Sequence, residues 1–273
     1  MIVVVTRPIG QADKLANALR AEQFTPAIFP LLDIEPTDNP ADLQAALAQL
    51  AQFDCVVFVS PNALAHALTP AHLRVAACSI WPSHLPIAVM GPGSVTAVQA
   101  FAGAHPQFMT SPDIIAPQSR FDSETLYQDL SARFGSLQGK RFLIVRGNSG
   151  REWLADTLRA DGADVTLVEA YQRHAPKLNT VRYVALLRLL QQNTGEAVIW
   201  TITSSESVRH FVDLIRQICW GEPELDFNQL QATMQLYMPH GRIVEVARAA
   251  GFQNCTLTEA GDEGLLAALR ATR

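Results

Sequence analysis

The chain has 273 residues and a formal net charge of -5, with 48% hydrophobic and 17% charged residues. This length suits one large or two ordinary domains with a sizeable core, and no low-complexity tract indicates disorder. The acidic balance gives no broad basic surface for nucleic acid, and the opening apolar run Ile2–Val5 is too short for a signal peptide or a membrane span, so we expect a cytoplasmic protein.

Short apolar runs alternate with amphipathic helical patterns along the whole chain. This is the βα pattern of a parallel sheet, and ten strands are too many for one ordinary domain of this size. In chain order the predicted strands are Ile2–Val5, Thr25–Phe29, Cys55–Val59, Ile87–Met90, Gln107–Met109, Phe142–Val145, Asp164–Val168, Val198–Ile202, Leu236–Met238 and Cys255–Leu257.

An internal repeat explains the number of strands. The segment "VVVTRPIGQADKLANALRAEQF" aligns with "LIVRGNSGREWLADTLRADGAD" when Arg7 is set on Arg146. Similarly, "VVFVSPNALAHAL" matches "WTITSSESVRHFV" with Ser60 opposite Ser204, and "IAVMGPGSVTAVQAFAGA" matches "QLYMPHGRIVEVARAAGF". The chain is therefore interpreted as a duplication whose copies appear in permuted order.

The permuted order predicts a discontinuous outer domain around an inserted inner one. We expect residues 1–32 and 174–273 to form the outer α/β domain and residues 37–168 the inner one, with crossings at 33–36 and 169–173. Each domain is expected to be flavodoxin-like, a five-stranded parallel sheet with flanking helices. The two crossings would form a hinge, and the facing carboxyl ends of the strands would form a cleft for ligand.

Two arginines occupy equivalent turns of the repeat. Arg7 and Arg146 each follow a strand and precede a helix, where free backbone N–H groups and the helix dipole favour an anion. An arginine adds a bidentate fork for a carboxylate or phosphate. The alternative is that each arginine pairs with a local carboxylate, but the recurrence favours a ligand.

Hydroxyl-bearing and glycine-rich turns follow other strands. Ser60 and Ser204 are placed to cap the helices after them, and a cap at the mouth of a cleft also presents donors to a ligand. The stretch "GPGSVTA" carries Ser94 and Thr96 in a turn that a ligand can approach closely. It lacks the spacing of a nucleotide-binding fingerprint and could be an ordinary capped turn.

Cysteines and histidines show no metal-binding pattern. The cysteines, Cys55, Cys78, Cys219 and Cys255, have no CxxC spacing, and the seven histidines contain no HExxH motif. Neither a disulfide framework nor a metal site is expected. Tyr171, in the second crossing, could donate a hydrogen bond or a proton to a ligand, or it could pack as a wedge in the hinge.

Several motifs together resemble the uroporphyrinogen-III synthase family over essentially the whole chain. They are "VTRP", "FVSPNA", "VMGPGS", "SETLYQDL", the segment "LIVRGNSGREWLADTLRADGADV" running into "AYQR", then "TSSES" and "ARAAGF". Each motif is weak alone, but their order and spacing are jointly specific.

The resemblance implies an enzyme that cyclises hydroxymethylbilane, a linear tetrapyrrole with eight carboxylates, to uroporphyrinogen III. The fourth ring is inverted and water is lost, without metal or organic cofactor, in a monomer without nucleic-acid or membrane partners. The resemblance makes Tyr171 the candidate catalytic residue, since it could assist departure of the substrate hydroxyl. The candidate substrate-binding residues are Thr6, Arg7, Ser60, Asn62, Ser94, Thr96, Arg146, Ser204 and Ser205.

Two other functions would use a similar cleft. A non-catalytic two-domain protein could close on an anionic small molecule without needing an acid. A two-domain glycosyltransferase would need a nucleotide site, and the sequence contains no motif for one.

Overall fold

The structure is a computed structural model that describes residues 1–75, 80–150, 152–192 and 198–272. The chain forms two compact units: the first comprises Met1–Ile34 and His174–Arg273, and the second is the continuous segment Glu35–Arg173. Cys78 lies outside the described residues. Cys55, Cys219 and Cys255 are free thiols.

Strands and helices are numbered in chain order. The strands are β1 (Ile2–Val5), β2 (Thr25–Ile28), β3 (Asp33–Pro36), β4 (Cys55–Phe58), β5 (Ile87–Val89), β6 (Ile114–Ile115), β7 (Arg141–Gly147), β8 (Asp164–His174), β9 (Val198–Thr201), β10 (Gln235–Met238) and β11 (Asn254–Leu257). The helices are α1 (Ile9–Ala21), α2 (Pro40–Ala48), α3 (Pro61–Ala67), α4 (Pro70–Val75), α5 (Pro92–Ala104), α6 (Ser123–Phe134), α7 (Trp153–Ala160), α8 (Thr180–Gln192), α9 (Ser205–Gly221), α10 (Phe227–Thr233), α11 (Gly241–Ala249) and α12 (Gly261–Arg270).

The first unit is built on a five-stranded sheet with the order β11-β10-β9-β1-β2. Its neighbouring strands run parallel, with Ile2 opposite both Thr25 and Val198. Every residue of the central strand β9 is buried, because helices cover both faces of a parallel sheet. On one face Trp200 packs against Phe211 of α9, with ring centroids 4.4 Å apart.

The second unit contains a six-stranded sheet with the order β3-β8-β7-β4-β5-β6. When β7 is matched to β1, β8 to β2, β4 to β9 and β5 to β10, its last five strands follow the same order as the sheet of the first unit. This matching is the one that the sequence repeat predicts. The sheet orders therefore agree with the strand correspondence that the permuted repeat predicts.

The prediction of five strands in each sheet is wrong for the second unit. β3 adds a sixth strand from the polar, Pro-ended crossing, which sequence periodicity does not identify as a strand. Pro36 is tolerated there because β3 lies at the edge of the sheet, where a missing N–H breaks no ladder.

The predicted strand Gln107–Met109 is also wrong. The amides of Phe108 and Met109 both bond to the carbonyl of His105, which makes this stretch a turn after α5. Its apolar side chains are buried in the turn and so resemble a strand in the sequence. The short β6 occupies the expected edge position instead.

None of the helices in the described ranges combines the length and apolar character needed to cross a bilayer.

Candidate active site

A cavity of about 220 Å³ lies in the second unit, where β4, β5, β7 and β8 end at their carboxyl side. Ligands bind at this edge in doubly wound sheets. Apolar side chains form part of its wall. The polar side chains that line it are Ser60, Ser123, Arg146, Ser149, Glu152, Tyr171 and Arg173.

Tyr171 is placed in this wall by an irregularity in the β7–β8 pairing. The register shifts between Arg146 and Gly147, so that Gly147 stands opposite Tyr171. A Cβ at position 147 would lie 2.7 Å from Tyr171 Cζ, so only glycine leaves room for the ring as it stands. Tyr171 is only 1% exposed, so neighbouring residues pack around its side chain and restrict its movement.

Two side chains hold the phenol oxygen. Tyr171 Oη lies 3.1 Å from Ser60 Oγ and 3.2 Å from Arg173 Nη2. Ser60 is also the N-cap of α3, since its Oγ accepts from the backbone N–H of Ala63 at 3.1 Å. The predicted cap is confirmed, and the same hydroxyl contacts the candidate catalytic residue.

The face of the Tyr171 ring is covered by an imidazole. His66 of α3 stacks on it with ring centroids 5.7 Å apart and 28° between the planes. Burial lowers the pKa of His66 below its ordinary value of 6.5, and the nearby His72 lowers it further. His66 is therefore neutral at neutral pH and contacts the phenol as an aromatic ring.

Arg146 lines the cavity but is anchored by its own loop. Its Nη1 pairs with Glu152 at 3.0 Å, Nη2 donates to the carbonyl of Gly150 at 3.1 Å, and Nε donates to the carbonyl of Gly147 at 3.2 Å. These bonds fix the turn after β7. They leave some of the five guanidinium N–H groups for other partners.

Asn148 ties the same turn to the end of β8. Its backbone N–H bonds to the carbonyl of Tyr171 at 3.1 Å, and its Oδ1 accepts from the amide of Arg173 at 2.9 Å. The sequence "RGN" (residues 146–148) thus anchors the turn, makes room for the Tyr171 ring and fixes the strand that carries it.

A second pocket adjoins the first and shares Val59, Ser60 and Met90 with it. It is formed at the start of α5, where Ser94 is buried and the exposed Phe121 covers Gly91. Thr96 is exposed and donates back to the carbonyl of Pro92 at 3.1 Å, within its own helix. Asn62 is half-buried in the first turn of α3.

The remaining predicted residues belong to the first unit. Thr6 is buried and donates to the carbonyl of Thr201. Arg7 pairs with Asp262 in the first turn of α12 at 2.5 Å. Ser204 caps α9 by accepting from Ser207 N–H at 3.0 Å, which confirms the predicted cap, and Ser205 is the first residue of that helix.

The structure therefore brings Ser60, Arg146 and Tyr171 together around one cavity, with Ser94 in the adjoining pocket. Sequence reasoning missed Gly147, Asn148 and Arg173. One signal for Arg173 was available: in "YQR" it stands two residues after Tyr171, and residues i and i+2 of a strand point to the same side.

Hydroxyls and arginines at the carboxyl ends of parallel strands define an α/β protein with donors suited to an anionic small molecule. A family model described as "Uroporphyrinogen-III synthase HemD" matches residues 13–270. The chain belongs to the uroporphyrinogen-III synthase family.

Individual relatives agree with the family model. Uroporphyrinogen-III synthase of Escherichia coli (strain K12) is 29% identical over 99% of this chain and 100% of the relative. The enzyme of Synechococcus elongatus is 30% identical over 78% of this chain and 74% of the relative. The solved structure of uroporphyrinogen-III synthetase from Helicobacter pylori is similar in fold, with a TM-score of 0.59 and 13% identity over 100% of this chain and 99% of that one.

Proposed function

We propose that the cavity around Tyr171 is where the chain carries out its reaction. As a member of its family the chain is a cyclising lyase, a uroporphyrinogen-III synthase, which converts hydroxymethylbilane to uroporphyrinogen III with loss of water. The observation that carries the proposal for the site is the buried phenol of Tyr171, held at the carboxyl edge of the sheet by Ser60 and Arg173.

The reaction needs a proton donor at one end of the substrate. The hydroxyl of the hydroxymethyl group leaves as water, and a proton delivered to its oxygen makes it a better leaving group. Tyr171 is the candidate acid, because a phenol is protonated at neutral pH and this one borders the cavity. Departure of water leaves an electrophilic azafulvene, which the substituted carbon of the terminal ring attacks.

The size of the cavity supports a role at one end of the substrate. At about 220 Å³ it is smaller than the roughly 300 to 1,000 Å³ of pockets that enclose whole drug-sized ligands. A complete tetrapyrrole is too large for this space. We therefore assign the cavity to the terminal ring that carries the hydroxymethyl group, with the adjoining pocket at Ser94 available to the next part of the chain.

Orientation accounts for the choice of isomer. Free in solution the bilane closes without inversion, so the enzyme must hold the reacting carbons where attack at the substituted position is faster. Fixing reacting groups in this way can contribute roughly 7 to 11 kcal/mol to lowering a barrier. The rigid wall of buried strand residues around Tyr171 is suited to such a task, because it does not yield to the substrate.

Anionic groups of the substrate require donors in addition to the phenol. We propose that Arg146, Ser60, Asn62, Ser94 and Thr96 supply these in the second unit. In the first unit the proposed donors are Thr6, Arg7, Ser204 and Ser205.

The finer architecture is proposed in the same way. The two units would act as flavodoxin-like domains joined by a hinge at residues 33–36 and 169–173. The sheet order of the first unit, and the equivalent order in the second, support a flavodoxin-like topology. A cytoplasmic monomer that works without a cofactor remains the expectation from the sequence.

The test is the rate of isomer III formation in Tyr171→Phe. This change keeps the ring and removes the hydroxyl, so we expect turnover to fall at least tenfold, within the roughly 10²-fold to 10⁴-fold range of general acid catalysis. Tyr127→Phe is a matched control, because it removes a phenol hydroxyl that bonds to Asp161 in the same unit outside the cavity.

Separation of product isomers makes the outcome decisive. A normal rate in Tyr171→Phe would overturn the acid role of the phenol. If the unmodified protein bound hydroxymethylbilane but left only the spontaneous isomer I, the chain would be a binder of the anionic tetrapyrrole and not an enzyme.

A further inference from the structure

We propose that Arg173 is a positioning residue for the reaction: it donates to the phenol oxygen of Tyr171, so that the phenol proton is directed at the substrate and the charge left on the oxygen is stabilised. This inference rests on the proposed function of Tyr171. Its basis is the 3.2 Å contact between Arg173 Nη2 and Tyr171 Oη beside the cavity.

The local backbone holds the two side chains in register. Tyr171 and Arg173 alternate with Gln172 along β8, so both point to the same side of the strand. Asn148 bonds to the carbonyl of Tyr171 and to the amide of Arg173. The guanidinium carbon of Arg173 also lies over the Tyr171 ring, 5.8 Å from its centre.

The direction of the hydrogen bond follows from the chemistry of the groups. A guanidinium has only donors, so Tyr171 Oη must be the acceptor toward Arg173. Ser60 Oγ accepts from Ala63 N–H and keeps both a second lone pair and its own proton, so either hydroxyl can be the donor across its 3.1 Å contact with Tyr171 Oη. When Ser60 donates, both neighbours of the phenol oxygen are donors, and the phenol proton is then directed toward the cavity that Tyr171 lines.

The same two donors suit the product of proton transfer. As the Tyr171 O–H bond breaks, its proton goes to the substrate hydroxyl oxygen, and the C–O bond breaks with its electron pair to release water. The pyrrole nitrogen supplies electrons and keeps its own proton, so the product is an azafulvenium cation that balances the charge of the phenolate. The phenolate that remains is held by one charged and one neutral hydrogen bond. It regains a proton when the last pyrrole of the new macrocycle loses one on becoming aromatic again.

Arg146 offers a contrast within the same cavity. Its guanidinium is bound to Glu152 and to two carbonyls of its own loop, and no contact joins it to the phenol among the described residues. An effect of Arg146 on the reaction would therefore arise from the loop or from direct contact with a substrate carboxylate, and it would not depend on the Tyr171 hydroxyl.

A double-mutant cycle tests the proposal. We expect Arg173→Met to lower kcat by about tenfold to a hundredfold, the range for loss of a charged hydrogen bond, with KM changed by no more than about twofold. In a Tyr171→Phe background the same change should cost no more than about twofold in kcat, because the acceptor is already absent. Arg173→Lys should recover part of the rate by restoring one charged donor.

Arg146→Met is the matched comparison, and its effect should be the same with and without the Tyr171 hydroxyl. If Arg173→Met costs as much in the Tyr171→Phe background, or acts on KM alone, Arg173 binds substrate directly and the inference is overturned. That result would leave the acid role of Tyr171 intact. A normal rate in Tyr171→Phe alone would instead overturn the proposed function. If Arg173→Met does not fold, the same cycle with Arg173→Lys decides the question.

Discussion

Replacing Gly147 with alanine should strongly lower the activity of the enzyme. The substitution leaves the Tyr171 side chain chemically unchanged but displaces its ring. The added methyl would lie 2.7 Å from Tyr171 Cζ and 2.8 Å from Cε2, whereas ordinary contact begins at 3.4 Å. The ring must therefore withdraw by about 0.7 Å. The phenol oxygen lies 3.1 and 3.2 Å from its two partners, so a shift of this size can carry both bonds past the roughly 3.5 Å limit of a hydrogen bond.

Two measurements together check this reasoning. A misplacement of about 1 Å costs roughly 10²-fold in rate, so we expect kcat for isomer III formation to fall by about that factor. Overpacking a buried site should also lower the free energy of unfolding by about 1 to 3 kcal/mol, measured by urea denaturation. Gly103→Ala is the control, since a Cβ there meets nothing within 4 Å. A folded Gly147→Ala enzyme with the unmodified rate would refute the claim that catalysis depends on the position of the phenol.

Arg7→Ala should raise KM by roughly tenfold with little change in kcat, the loss expected for one charged hydrogen bond to a substrate carboxylate. Asp262→Asn removes the partner of Arg7 and serves as its control; an equal rise in KM there would make the ion pair, and not contact with substrate, the cause. His66 predicts a dependence of stability on pH. Because its pKa is lowered in the folded protein, mainly by burial and further by His72, the unfolded chain takes up a proton first as pH falls below 6.5. Stability should be full above pH 6.5 and decline below it, and melting temperatures of His66→Gln should decline less over the same range; equal declines would contradict the assignment.

Local patterns in the sequence were sufficient to predict much of the fold. Alternating βα periodicity predicted most of the strands, and the repeat predicted which strands of the two units correspond, since each copy encodes the same succession of strand, turn and helix. The caps at Ser60 and Ser204 were predictable for the same reason, because a cap bonds to a residue three positions along the chain.

Contacts between distant segments could not be predicted in this way. The setting of Tyr171 depends on a register shift at Gly147, and periodicity contains no information about which residue of β7 faces which residue of β8. The carboxylate that pairs with Arg7 is Asp262, at the opposite end of the chain, whereas Glu152 lies six positions after Arg146 and was within reach of local reasoning.

The permuted duplication also has a consequence for how the chain is made. β1 pairs on one side with β2, but its other neighbour is β9, which begins at Val198. During synthesis the ribosome delivers all of Glu35–Arg173 before that partner exists. The second unit can therefore finish folding while the first thirty-four residues still present an open strand edge, and such edges are prone to pair with other chains. The chain's connectivity thus makes the second unit available to fold first and delays completion of the first unit until β9 has been synthesised.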